Sequence, residues 1–166
     1  MESSEVELGD AALRDIELEN FFRAVGGEGD ATMLILRGHL FTENLLERLI
    51  RLSLPRGDKV IEAASLSYAQ KLVLVEAVQH LADSVVSSLR GLNKIRNQCA
   101  HELGRAIADA DVVRIGSPLG KVFTELHRES KYDPVETLKR VIGYIAGFMT
   151  SACHVLEEKA VGSKGG

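Results

Sequence analysis

The sequence of residues 133–156 reads DPVETLKRVIGYIAGFMTSACHVL, and its spacing decides the fold class. Asp133 suits the N-cap of a helix, and Pro134 suits its first turn, where a backbone N–H would lack a partner in any case. Beyond them, apolar residues recur at alternating steps of four and three, at Leu138, Ile142, Ile145, Met149, Ala152 and Leu156. This heptad seam predicts a long helix packed nearly parallel or antiparallel to a neighbour, as in an up-and-down helical bundle.

Helical patterns fill the rest of the chain, and no alternating strand pattern is convincing. The predicted helices cover residues 10–25, a stretch that begins at Asp30, residues 67–81, a stretch from Asp83 or Ser84 to His101, a weaker one at 106–113, and residues 119–129. The breakers between them lie at residues 26–29, 55–58, 116–118 and 132–134. We therefore expect an all-α chain, with one domain over residues 1–161 and a flexible Gly/Ser tail over residues 162–166.

The composition is that of an ordinary globular chain of 166 residues, 45% hydrophobic, with a net charge of −4. Nucleic-acid-binding proteins are usually basic, so any RNA contact would need a local basic patch. Cys99 and Cys153 form no Cys-x-x-Cys pair, which suits a reducing compartment. The acidic N-terminus lacks the pattern of a secretory signal, and residues 141–156 are too short for a membrane span. We expect a cytoplasmic protein with no membrane segment, and no residue pattern indicates a cofactor.

The chemically richest stretch is Arg96-Asn97-Gln98-Cys99-Ala100-His101, at the end of the fourth predicted helix. On a helical wheel the apolar face of this helix contains Val85, Leu89, Leu92, Ile95, Cys99 and Leu103. The opposite edge is a polar stripe whose cations, Arg90, Lys94 and Arg105, are candidates for binding a phosphate-bearing substrate. Arg96 falls on the apolar side, about 140° from His101. It therefore needs a partner, a solvent cleft or a second subunit, and it can meet His101 only at a helix end, at a bend or across a two-fold axis.

This stretch resembles the motif of the HEPN superfamily, in which an Arg is followed by a polar residue and, after a short gap, by a His. Here four residues separate Arg96 from His101. Together with the hydrophobic helix at residues 66–78 and the Leu45-Leu46-Glu47 segment, the pattern looks most like the mannitol operon repressor (MtlR)-like branch. The resemblance covers roughly residues 30–103.

The resemblance implies a HEPN-like bundle and, as in many members, a metal-independent endoribonuclease that acts as a dimer with both motifs in one cleft. Arg96 would bind the phosphate and stabilise its developing charge, His101 would transfer a proton, and Asn97 would position these groups. Cleavage by the 2′-hydroxyl would leave a 2′,3′-cyclic phosphate. The expected partners are a second copy of the chain, an RNA substrate and a cognate antitoxin or regulatory protein.

Two functions stay open. The first is an RNA-cleaving effector of a toxin, defence or stress system. The second is a non-catalytic MtlR-like transcriptional regulator or adaptor that works through protein–protein contacts. The complete Arg-Asn-x-x-x-His favours the enzyme, whereas the net charge of −4 and Glu102, which would repel RNA beside the site, favour the regulator.

Other reactive residues are predicted to be structural. His39, Glu43 and Glu47 step by four and could suggest a metal site, but no second helix offers a Glu-x-x-His partner, so we interpret them as a solvated face and predict no metal. Cys99 is interpreted as a buried small hydrophobic residue. The isolated histidines are given no role; they are His80, His127 and His154.

Overall fold

A computed structural model describes residues 19–21, 23, 30–102 and 104–163, and all regular structure in this part of the chain is helical. The helices are α1 (Ala31–Ser53), α2 (Gly57–Ala64), α3 (Tyr68–Ala77), α4 (Asp83–His101), α5 (Asp109–Gly116), a 3₁₀ turn (Ser117–Leu119), α6 (Lys121–Glu129) and α7 (Pro134–Gly162). Residues 19–21 and 23 are helical as well. The remainder of the predicted helix at 10–25 lies outside the described residues, as do Leu103, the loop at 26–29 and residues 164–166.

The heptad seam of α7 forms the centre of the core. Its residues Leu138, Ile142, Ile145 and Met149 are fully buried, mainly against α1. A Cβ added at Gly38 of α1 would lie 2.8 Å from Ile142 Cγ2, so the two helices approach closely at this point. Further along both helices Arg48 bonds to Glu157, which means that α1 and α7 run in the same direction. The seam predicted from the sequence is therefore confirmed, and its neighbour belongs to the same chain.

Helix α4 runs in the opposite direction to α1. His39, in the middle of α1, bonds to Asn93 of α4, and the end of α4 lies beside the beginning of α1, where Cys99 and Asp30 line one cavity. The three long helices thus alternate in direction along the chain, as predicted for an up-and-down bundle. None of the helices in the described ranges is both long enough and apolar enough to cross a membrane.

The helix starts follow the capping residues. Asp30 accepts a hydrogen bond from the N–H of Met33 at 2.8 Å, and Asp133 accepts one from the N–H of Glu136 at 2.7 Å. Each cap satisfies a backbone donor that the first helical turn leaves unpaired. The predicted N-caps at Asp30 and Asp133 are confirmed.

Several predicted boundaries are wrong. The break predicted at residues 55–58 is present at residues 55 and 56, but Gly57 already begins α2, a helix that the sequence did not predict. The Gly57 backbone lies against α1, where a Cβ would approach Ile50 O to 2.2 Å. Helix α3 ends at Ala77 instead of residue 81, since Gln79 takes a left-handed conformation. Helix α5 begins three residues later than predicted, and α7 continues through Gly162, which was assigned to the tail.

Candidate functional site

Helix α4 separates an apolar face from a polar edge, as the wheel predicts. Val85, Leu89, Leu92 and Ile95 are buried at 1% exposure or less, whereas Arg90, Lys94, Asn97 and His101 are exposed. Cys99, predicted to be a buried small hydrophobic residue, packs against the core but is only half-buried, and it lines a cavity of about 490 Å³. The packing of four apolar residues fixes the rotation of α4 and therefore the direction in which the motif points.

Arg96 is half-buried and bonds to the next residue of the motif. Its Nη1 donates to Asn97 Oδ1 at 3.2 Å. The side chain lies close enough to His39 of α1 for its charge to act on that imidazole. Arg96 therefore stays partly accessible to solvent, and its charge acts on a histidine other than the one in the motif.

His39 is the site residue that sequence reasoning missed. Its ring is only 7% exposed, its Nε2 donates to Asn93 Oδ1 at 3.0 Å, and it stacks on Tyr68 with ring centroids 4.1 Å apart. Burial lowers the pKa of His39, the hydrogen bond to Asn93 opposes this shift, and the charge of Arg96 adds to it. A neutral imidazole donates at one ring nitrogen and can accept a proton at the other, so His39, which donates at Nε2, could accept a proton only at Nδ1.

The interpretation of His39, Glu43 and Glu47 as a solvated face is wrong. Lys71 of α3 donates to Glu43 at 2.8 Å and to Glu47 at 2.7 Å, and the Lys71 side chain is only 8% exposed. Burial disfavours the charged form of Lys71, but the hydrogen bonds to the two carboxylates raise its pKa. The step of four that resembled a metal site forms instead a polar contact between α1 and α3. Among the described residues no group of three His, Cys, Asp or Glu side chains is arranged to hold a metal ion.

His101 is the last residue of α4 and is exposed, and the backbone leaves the helix at Glu102. The helix is unbroken from Asp83 to His101, so Arg96 and His101 keep their separation around the axis and lie on different sides of α4. Within the part of the chain that the structure describes, His101 makes no hydrogen bond to another side chain. One protomer by itself does not bring the two motif residues together.

The three cations proposed to bind substrate differ in their surroundings. Arg90 forms an ion pair with Glu76 of α3. Arg105 donates to Asp111 at 2.8 Å, and this bond raises the pKa of Arg105, while Asp111 also caps α5 through the N–H of Ala108. Lys94 is exposed and forms no ion pair with any described residue.

An exposed apolar stripe of α1 borders the motif. Met33, Leu36 and Leu40, which are 43%, 38% and 60% exposed, lie on the outer side of α1; we call them the α1 stripe. Leu36 and Leu40 flank His39 in the sequence, and His39 faces Asn93 one turn before Arg96 and Asn97. The polar edge of α4 therefore has a strip of exposed apolar surface beside it.

Two of the histidines that were considered isolated have defined partners. His127 bonds to Thr137 Oγ1 at 3.0 Å and stacks on Phe123. His154 is buried, with its Nδ1 3.4 Å from Glu157. Both contacts join α7 to a neighbouring segment or to itself, so these histidines serve packing.

Comparison of the chain with protein-family models, with curated proteins and with solved structures finds no match in any of the three.

Proposed function

We propose that the protein is a HEPN-like, metal-independent endoribonuclease that acts as a homodimer, with the motif residues of two copies in one cleft. The proposal rests on one observation. Arg96 and Asn97 bond to each other one turn after Asn93, which joins α4 to the helix that carries the α1 stripe, and His101 is exposed about one and a half turns after Arg96. A second copy laid on the α1 stripe would bury apolar surface and bring a second motif against the first.

The proposed chemistry needs only these side chains. The 2′-oxygen of a ribose attacks the adjacent phosphorus as its proton passes to a base, the bond from phosphorus to the 5′-oxygen breaks, and that oxygen receives a proton from an acid. The His101 that serves each site would accept the first proton and then return it to the leaving 5′-oxygen. Arg96 would hold the phosphate through its planar fork of donors, and Asn97 would orient the guanidinium. The products are a 2′,3′-cyclic phosphate and a free 5′-hydroxyl.

Substrate binding would depend mainly on Lys94. Arg90 would have to leave Glu76 to reach a phosphate, and Arg105 would have to leave Asp111. Because phosphate contacts release counterions, RNA affinity should fall as salt rises, with a shallow slope if Lys94 provides the main side-chain contact along the stripe.

Cleavage of labelled RNA in EDTA tests the proposal. We expect the parent protein to cleave RNA with chelator present and to leave 5′ fragments that end in a cyclic phosphate. His101→Ala and Arg96→Ala should abolish cleavage while helicity is kept. The matched controls are His80→Ala, an exposed histidine before α4, and Arg128→Ala, an exposed arginine of α6, and both should retain activity. Activity that disappears with chelator and returns with Mg²⁺ would overturn the mechanism.

A second function, that of an MtlR-like regulator or adaptor, is favoured by the ion pairs of the polar stripe. Two of its three cations, Arg90 and Arg105, already bond to carboxylates, and the chain carries a net charge of −4. In that case α4 would present its edge to a protein and not to RNA. A parent protein without RNA cleavage or RNA binding, whose Arg96→Ala variant has a much lower melting temperature, would support this second function.

A further inference from the structure

A long apolar groove runs along the side of α7 that faces away from α1. Its larger part has a volume of about 630 Å³, and a smaller part of about 430 Å³ continues it, sharing Gly143 and Tyr144. From Glu136 to Lys159 the groove follows α7 for about 35 Å, at 1.5 Å per residue. His80, in the connection between α3 and α4, forms part of the wall. The groove therefore has the length of a helix of several turns.

The floor of the groove is a face of α7 that combines large exposed apolar side chains with glycines. Tyr144, Phe148 and Val155 are 38%, 37% and 44% exposed, and they recur at i, i+4 and i+11 on one side of α7. Gly143 and Gly147 stand between the large side chains and allow a partner backbone to approach closely. A groove with large apolar side chains beside small residues is the surface that accepts the apolar face of an amphipathic helix.

The charges that line the groove are mostly positive, although the chain as a whole is acidic. Among the residues that the structure describes, the charged lining residues are Lys139, Arg140 and Lys159, with one carboxylate, that of Glu136. Arg140 already bonds to Glu136 and to Glu129, so within the described ranges Lys139 and Lys159 are the lining cations that remain for a ligand. A second copy of the chain would bring a groove lined with the same sign of charge. Charge complementarity therefore favours an acidic partner.

We propose that this groove docks an amphipathic helix of another protein, with apolar residues spaced to contact Tyr144, Phe148 and Val155 and with acidic residues at its two ends. The His80 end of the groove lies apart from the motif, because His80 precedes the first residue of α4 and His101 is its last, about 27 Å further along the helix. The proposal does not depend on RNA cleavage, and it stands whether the protein is a nuclease or a regulator.

Two synthetic helices of about 18 residues serve as probes. They carry the same leucine anchors at i, i+4, i+7 and i+11, and their flanking positions are glutamate in one and lysine in the other. Fluorescence anisotropy with the full chain should give a dissociation constant for the glutamate peptide at least about tenfold below that for the lysine peptide. Phe148→Glu should weaken binding of the glutamate peptide by about tenfold or more. The same change on the α1 stripe, Leu40→Glu, should leave this binding unchanged.

A charge-reversal variant keeps the test decisive if Phe148→Glu fails to fold. Lys139→Glu combined with Lys159→Glu leaves the apolar floor intact and should invert the preference, so that the lysine peptide binds more tightly. Lys121→Glu, outside the groove, should change nothing. Equal binding of both peptides, or binding of neither, would overturn the proposal. Self-association of the parent protein that Phe148→Glu abolishes, without peptide binding, would assign the groove to a second copy instead.

Discussion

Arg96 holds its guanidinium half-buried beside a histidine that burial keeps neutral. This arrangement follows from the packing of α1 on α4, where His39 and Asn93 meet although they are 54 positions apart in the sequence. It cannot be found from the wheel of α4 alone. The wheel predicts that Arg96 lies on the apolar side and needs a partner, a solvent cleft or a second subunit. It cannot decide among these, because a single helix does not show which residue of another helix it will face.

The neutral state of His39 predicts how stability depends on pH. In the unfolded chain its pKa is about 6.5, and in the folded chain it is lower. Between these two values the unfolded chain binds a proton that the folded chain does not, so stability is complete above about pH 6.5 and falls as the pH falls below it. Thermal melting between about pH 7.5 and pH 5 should show this decline, and His39→Gln should flatten it. His80→Gln, at an exposed position, should leave the slope unchanged; an unchanged slope in His39→Gln would contradict the assignment.

Asp111 gives a dependence of the same sign, at lower pH. Burial disfavours its charged form, but the hydrogen bonds from Arg105 and from the N–H of Ala108 lower its pKa below 3.8. The contribution of this carboxylate is therefore present above about pH 4 and is lost as the pH falls through the folded value. Asp111→Asn should lower the melting temperature at pH 7, and its melting temperature should fall less than that of the parent protein when the pH is lowered below about 4. Asp109→Asn, exposed in the same first turn, is the matched control and should have little effect.

At the scale of helices, the local signals predicted the starts well and some of the ends poorly. Asp30, Ser67 and Asp133 mark helix starts through their own hydrogen bonds, so a capping residue in the sequence was sufficient. Helix α2 was missed because Gly57 and the preceding proline look like a turn. The glycine is needed for contact between two helix backbones, and that requirement arises only once α1 and α2 are packed.

Gly57 provides a test of this explanation. A Cβ at this position would approach Ile50 O to 2.2 Å, and neither backbone can move without displacing the start of α2. Gly57→Ala should therefore lower the free energy of unfolding by about 1–3 kcal/mol, the usual range for forced overpacking. Gly162→Ala is the matched control, since its Cβ would meet no atom within 4 Å. Equal melting temperatures for the two variants would show that α2 does not depend on the close contact.

For the whole molecule, the question is how two motifs could meet. The predicted homodimer drew partly on the α7 seam, and that support is weakened, because the seam from Leu138 to Met149 is buried within the chain, mainly against α1. The α1 stripe takes its place in the argument, since Met33, Leu36 and Leu40 remain exposed beside the polar edge of α4. The sequence placed these residues on a helix but could not show that they face outward, because an apolar residue fits either a core or an interface.

The α1 stripe should therefore control assembly if the dimer forms there. Leu40 is 60% exposed, so Leu40→Glu adds a charge without disturbing the core. We expect this variant to remain folded by circular dichroism, to sediment as a monomer at tens of micromolar, and to lose RNA cleavage. Val135→Glu, at a position 43% exposed at the beginning of α7, is the control and should stay dimeric. A parent protein that is monomeric at the same concentration would contradict the proposed dimer through the α1 stripe.

Mixing two inactive variants decides whether the site is shared between copies. Arg96 and His101 lie on different sides of one helix, so we expect each active site to take Arg96 from one copy and His101 from the other. In a mixed dimer of Arg96→Ala and His101→Ala chains, one of the two sites would then contain both parent residues, and the other would contain neither. Equal mixing makes about half of the dimers mixed, so about a quarter of the parent activity should return. If each protomer used its own pair, every site in every dimer would lack one residue, and the mixture would stay as inactive as its components. Denaturing and refolding the two chains together, beside chains refolded separately and then combined, ensures that subunit exchange has occurred and makes a negative result conclusive.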